Sequence, residues 1–428
     1  MAAAAKPDRN RAVDAYRAMA MVAVAIGHWV AVAVAVDANG DLQAGNALAD
    51  DPSLAWMTWV FQVMPLFFVV GGFASAMSLD AHIKRGSGRP ADWIATRLRR
   101  MVAPTALLAA TWLGVLTLGV ITGTAGTIAV GAAGAAIPLW FLANYTIDTA
   151  AAPYLLPRFR EHPVVVVSML GTVFGLVEFL RFADVPVVGH VNWVIGWLMF
   201  QVVGFAWRDG LMPRGRSMAA VAGAMWCAAF AAVALGPWPT SMVHFPGLHD
   251  SPTHPPSFAL MLFGLAYSTT AIAAAPLVDR RLARSARAWT VVVAGNAVSM
   301  SIYLWHMTAI VGAGLVFWRL GWLPTAPVGT AAWWIQKVPL VILAAVFLAA
   351  VIAVVAPTER RSLLARPAGW AGGPVSMLAV AAVVSTSLKM WSTSSASTLA
   401  IGMAGLLIVW VAGLRVPTPV TDLVEVER

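Results

Sequence analysis

Apolar runs recur along nearly the whole of this chain, and most are long enough to cross a lipid bilayer. At a rise of 1.5 Å per residue, about 20 residues cover a hydrocarbon core of roughly 30 Å. The runs fall near residues 15–36, 56–79, 104–122, 138–156, 163–180, 191–207, 217–236, 257–276, 289–313, 333–355, 374–390 and 398–414. A span in lipid must satisfy its backbone hydrogen bonds internally, so these twelve runs predict an all-α polytopic membrane protein. Composition agrees: 60% of residues are hydrophobic and 11% charged, too few charges to cover a soluble surface. Trp56, Trp59, Trp193, Trp322, Trp333 and Trp334 fall near the expected helix ends, where indole rings anchor at the lipid interface.

The net charge of +9 raises the question of nucleic acid. Its basic residues form short clusters between apolar runs, without a basic face, and this argues against a nucleic-acid partner and for membrane lipids. With a cytosolic N-terminus, all of the 28 Lys and Arg except Arg181, Arg319, Lys337 and Lys389 fall on the inner side. That asymmetry predicts a plasma-membrane protein with both termini in the cytosol. The first run is longer than the apolar core of a secretory signal and reads as a retained helix. The sole cysteine, Cys227, lies in an apolar run, which excludes an intrachain disulfide and predicts an inert packing thiol.

The expected outer loops differ in character. Asp37, Asp41, Asp50 and Asp51 lie in the first, and 237–256 carries six prolines with His244, His249 and His254. Three histidines spaced five apart in a proline-broken loop are a poor zinc set, so no metal is expected, and the loop suits a lid. No repeat relates the two halves of the chain, as one often does in inverted-repeat transporters.

Polar residues inside spans carry the chemistry. The first run reads RAVDAYRAMAMVAVAIGHW and holds Asp14, Arg17 and His28. On a helix, Arg17 and His28 lie within about 20° of one face and about 17 Å apart along the axis, with Asp14 about 40° from His28. Arg17 then belongs at the cytosolic mouth and His28 near mid-membrane. An intramembrane histidine is costly unless it faces protein or water, so His28 is a functional candidate, the alternative being a packing histidine bonded to a helix carbonyl. Imidazole at that depth can take a proton from a hydroxyl and return it to a leaving group. The loop after the second helix holds Lys84, Arg85, Arg89, Arg97, Arg99 and Arg100, with Arg97 and Arg100 one helical turn apart. Both can meet one polyphosphate, or they can serve only to orient the chain.

These motifs together resemble the acyltransferase-3 family of integral membrane acyltransferases. The resemblance rests on Arg17 followed by ten residues and His28, FFVVGGF at Phe67 to Phe73, Arg97 and Arg100 ahead of Pro104, WFL at Trp140 to Leu142, and YLWHM at Tyr303 to Met307. It covers about residues 9–356. It implies a ten-helix core over 15–356, after a cytosolic segment 1–14. A basic linker 357–373, two additional helices over 374–414 and a cytosolic tail 415–428 follow. It further implies an acyl-CoA donor, acetyl-CoA being the expected one, with a carbohydrate or glycolipid acceptor. His28 would be the base, with Arg17 and Asp14 beside it, and Arg17, Arg97 and Arg100 would bind the donor. His306 matches a second family histidine, and with Trp140 and Asp148 it forms a possible second polar site; a satisfied intramembrane histidine is the other reading.

The chain departs from the family in two places. Gly71, Gly72 and Phe73 stand where many relatives have Ser-Gly-Phe, and Asn144, Tyr145 and Asp148 follow Trp140 where many carry a glutamate. Glu178 reads as interfacial, near Arg181. Relatives acting on cell-wall polymers often carry an outer hydrolase-like domain; its absence here predicts a small or lipid-linked sugar acceptor. An ion- or proton-coupled transporter is the main rival, since the same polar residues can line a solute path. A scaffold for envelope-assembly proteins is a third reading.

Overall fold

The computed structural model describes residues 10–36, 42–86, 89–248, 252–364 and 373–415. The segment before residue 10, Asp37, Asp41, His249, the linker residues 365–372 and the tail from 416 lie outside them.

In chain order the elements are α1 (Arg11–Ala31), β1 (Val32–Val36), β2 (Leu42–Asn46), α2 (Ala47–Asp50), α3 (Thr58–Phe61), α4 (Met64–Lys84), α5 (Pro90–Thr122), α6 (Ala125–Ala136), α7 (Leu139–Glu161) and α8 (Pro163–Phe182). After these come α9 (Asn192–Arg208), α10 (Arg216–Leu235), α11 (Phe258–Arg284), α12 (Ala286–Ala297), α13 (Ser299–Leu320), α14 (Ala331–Leu364), α15 (Gly373–Trp391) and α16 (Ala396–Arg415). Among the described residues, nine helical stretches are long and apolar enough to cross a membrane, and α15 and α16 add two shorter apolar helices. α1 has 21 residues but is not one of the nine, because Asp14, Arg17 and His28 lower its hydropathy. The protein is an all-α, multi-pass membrane protein.

Three boundaries differ from expectation. The first run does not stay helical to residue 36: α1 stops at Ala31, and Val32–Val36 forms an antiparallel hairpin with Leu42–Asn46. Its Val-Ala alternation has the two-residue period of a strand, which a continuous apolar run conceals. The run at 289–313 is broken at Val298 into α12 and α13. Arg97, Arg99 and Arg100 lie on α5, which begins at Pro90 and carries Asp92 in its first turn, both favourable at a helix N-terminus. Cys227 is exposed on α10, not buried as a packing thiol.

The chain divides into two units, residues 1–78 with 154–350 and residues 79–153 with 351–428. In the first, α1 packs on α11, α12 and α13. α4 and α9 cross where glycines remove the side chains: a Cβ on Gly72 would lie 2.1 Å from the Gln201 carbonyl oxygen, and one on Gly204 would lie 2.1 Å from that of Val69. The Gly-Gly of FFVVGGF therefore permits close backbone contact, a common device between membrane helices. An apolar cluster of Val13, Tyr16, Leu66, Val70, Phe73 and Ala275 seals the N-terminal half of α1.

At one end of this unit the connecting segments are tied together. Trp59 Nε1 donates to the Thr240 carbonyl at 2.7 Å and Gln62 Nε2 to that of Met242 at 2.8 Å. Glu178 Oε1 accepts from Arg181 at 3.0 Å, and from Trp238 Nε1 and the Phe258 backbone N–H at 3.1 Å each. The proline-rich segment is thereby pinned to α8 and to the stretch around α3. At the other end, Arg160 and Asp209 pair at 2.7 Å.

In the second unit α15 and α16 pack on each other and on α5. Gly402 and Gly405 of α16 lie against Met390 and Thr386 of α15.

Candidate active site

α1 brings its polar residues to the helices it packs on. Near its start, Asn10 caps the helix by accepting from the Val13 backbone N–H at 3.1 Å, and Asp279 of α11 accepts from that of Ala12 at 2.7 Å. Two of the donors that a helix N-terminus leaves open are thus satisfied. Tyr16 donates its hydroxyl to the Ala271 carbonyl at 2.7 Å.

One turn on, Arg17 donates Nε–H to Oδ1 of Asn296 at 2.7 Å. The same asparagine donates from Nδ2 to the backbone carbonyls of Asp14 at 2.7 Å and Val292 at 3.0 Å. Asn296 lies at the end of α12, just before the break, so the break presents its amide to α1. It does not stand out in the sequence; its one signal there is that of a lone asparagine in an apolar run.

At the far end of α1, Nδ1 of His28 lies 2.9 Å from Nε2 of His306 on α13. The two rings are 17° from parallel with centroids 5.1 Å apart. His306 is fully buried and its Nδ1 lies 2.7 Å from the Tyr303 carbonyl oxygen and 3.2 Å from that of Ile302. Carbonyls only accept, so in the neutral pair His306 carries its proton on Nδ1 and accepts at Nε2. His28 must then donate from Nδ1, which leaves the lone pair on its own Nε2. This assignment follows from the hydrogen-bond network. Trp29, the next residue, donates Nε1–H to the His306 carbonyl at 2.8 Å and is a second tie between the two helices.

The helix-carbonyl bond that sequence offered as the bland alternative for His28 belongs instead to His306. Arg17 and His28 both lie on the α1 face that meets the α12–α13 pair, as their spacing predicts. His306 pairs with His28, whereas Trp140 and Asp148 belong to the second unit.

In that unit Arg97 is partly buried with its guanidinium 5.4 Å from the centroid of the Trp93 ring, one turn back on α5, and Arg100 is exposed. Trp140, Asn144 and Asp148 recur every fourth residue along α7 and share one face. Asp148 is 2% and Asn144 1% exposed, and among the described residues neither amide atom of Asn144 has a hydrogen-bond partner.

A family model described as an acyltransferase domain matches residues 10–358, which takes in α1 with His28 and α13 with His306. No curated protein and no solved structure matches the chain. The matched span is more than half of the chain, and on it rests the assignment: the chain belongs to the acyltransferase-3 family and is a membrane acyltransferase.

Proposed function

We propose that the protein moves an acyl group from cytosolic acyl-CoA, acetyl-CoA being the simplest donor, to a hydroxyl of a sugar or envelope glycolipid, with His28 as general base. The observation that carries this reading is the 2.9 Å bond from His28 Nδ1 to His306 Nε2, with His306 anchored on the Tyr303 carbonyl. It orients one imidazole and leaves one lone pair for an incoming hydroxyl, the arrangement a general base requires.

In this mechanism His28 Nε2 takes the acceptor's hydroxyl proton as the oxygen attacks the thioester carbonyl. The tetrahedral intermediate collapses, the C–S bond breaks, and the departing thiolate takes the proton from the imidazolium. Throughout, His306 accepts from Nδ1–H and helps to hold the ring through the charged state. Arg17, about 17 Å along the same helix, commits Nε–H to Asn296 and keeps its terminal N–H groups for a phosphate. In this reading Arg97 and Arg100 also bind donor phosphate, as the resemblance implies. The separation of base and arginine suits a long, thin donor whose charged end stays at the membrane surface.

The test is mass spectrometry of lipids and glycans from cells with and without the gene, followed by transfer in vesicles holding the purified protein and labelled acyl-CoA. An acyl-bearing sugar or glycolipid that disappears with the gene is the expected result. A solute gradient dissipated by the vesicles, without acylated product, would favour the transporter.

A further inference from the structure

Lys337 is a cation inside a membrane-spanning helix, 2% exposed, and a buried charge in such a place needs a reason. Among the described residues its ammonium meets two groups. It donates to the backbone carbonyl of Val32, and it lies 5.6 Å from the centroid of the Trp333 ring. Val32 is the C-cap of α1, and its own N–H donates to the carbonyl of His28. Two hydrogen bonds in series therefore lead from the lysine to the backbone of the histidine. The end of a helix leaves carbonyls unpaired and partially negative, so a cation is favoured there, and the indole face adds to that preference. The lysine is itself held firmly. One residue earlier, Gln336 accepts from the backbone N–H groups of Thr325 at 2.9 Å and Ala326 at 3.1 Å, which fixes the entry to α14.

We propose that Lys337 is a positioning residue for acyl transfer: it clamps the last turn of α1 so that the His28 ring keeps its bond to His306. The proposal rests on His28 being the base. Without the clamp, the chain leaving α1 for the hairpin at Val32 has one anchor fewer, and the turn that carries His28 and Trp29 can shift. Because the lysine acts on the orientation of the base, its loss should reach kcat and spare donor binding.

The experiment compares Lys337→Met, Lys337→Gln and Lys337→Arg with the parent protein in vesicles, measuring kcat and the KM for acyl-CoA, with His28→Gln alongside. Lys337→Met should lower kcat on the order of tenfold to a hundredfold, the scale of a small misplacement of a reacting group, with KM for the donor within about twofold. Lys337→Arg, which restores the charge and a donor, should keep at least about a third of kcat. Full kcat in Lys337→Met overturns the proposal, and so does a loss in the arginine variant as deep as in methionine. If neither neutral variant folds, the arginine variant decides: folded but inactive, it overturns the clamp. His28→Gln separates the two ideas, since an active His28→Gln refutes the base itself, whereas an inactive one beside a fully active Lys337→Met refutes the lysine alone.

Discussion

His28 and His306 are separated by 278 positions in the chain, yet their ring nitrogens Nδ1 and Nε2 stand 2.9 Å apart. The second histidine decides which nitrogen of the first keeps its lone pair. His306→Ala removes the acceptor for Nδ1–H, frees the His28 tautomer and should lower kcat on the order of tenfold or more, as when an orienting partner of a catalytic histidine is lost. His306→Gln offers a carbonyl oxygen in place of Nε2 and should lose less. Single-turnover acyl transfer in vesicles checks both, and equal rates in His306→Ala and parent would remove His306 from the mechanism.

The arginines of α5 should act on the donor. Arg97→Ala and Arg100→Ala each remove charge-assisted bonds of roughly 1.5–3 kcal/mol to a phosphate, so acyl-CoA affinity should fall about tenfold or more in each. Added salt should weaken binding in the parent and have less effect in the double variant. Titration with a non-hydrolysable acyl-CoA analogue measures this, and unchanged affinity in the double variant would return the pair to orienting the chain.

The proline-rich segment should respond to acid. Burial, and then the neighbouring His244, pushes His254 down from 6.5 to about 3, and burial lowers His244 as well. A histidine depressed in the folded state is neutral there while the unfolded chain takes up a proton. Its contribution is therefore complete above about 6.5 and is lost as pH falls towards about 3. Thermal unfolding in detergent should show melting temperature falling across that window. His254→Asn, which keeps a polar atom near Thr253 Oγ1 in place of Nδ1, should flatten the slope.

Much of this architecture is legible in the sequence because a membrane leaves a chain few options. Apolar runs give the helices, and Arg17 and His28 share a face of α1 because eleven residues bring a helix back almost to the same direction. What escaped depends on partners distant in the chain. His306 sits in a run whose polarity gives no hint that it bonds His28, and Asn296 meets Arg17 only because the helix breaks at Val298. Lys337 reads as a flanking charge, whereas the structure directs it inward to Val32. The hairpin at Val32–Val36 was hidden because valine and alanine suit both an apolar helix and a strand, and pairing with Leu42–Asn46 decides between them.

The orientation expected from the charge asymmetry is testable with single cysteines in a Cys227→Ser background. Pro246→Cys should label only from outside and Ala286→Cys only from the cytosol, since the basic ends of α11 and α12 hold that side. The reverse pattern would invert the topology and move the donor site with it.

In the proposed reaction His28 transfers the proton, and His28→Gln isolates that role, because glutamine keeps hydrogen-bonding capacity and approximate size without a titrating nitrogen. The protein should fold and bind acyl-CoA as the parent does, while turnover falls by about 10²–10⁴, the usual contribution of a general base. The acidic limb of the parent's pH–rate profile, where protonated His28 cannot accept a proton, should be missing from the residual activity. Near-normal turnover in the folded His28→Gln protein would show that His28 is not the base.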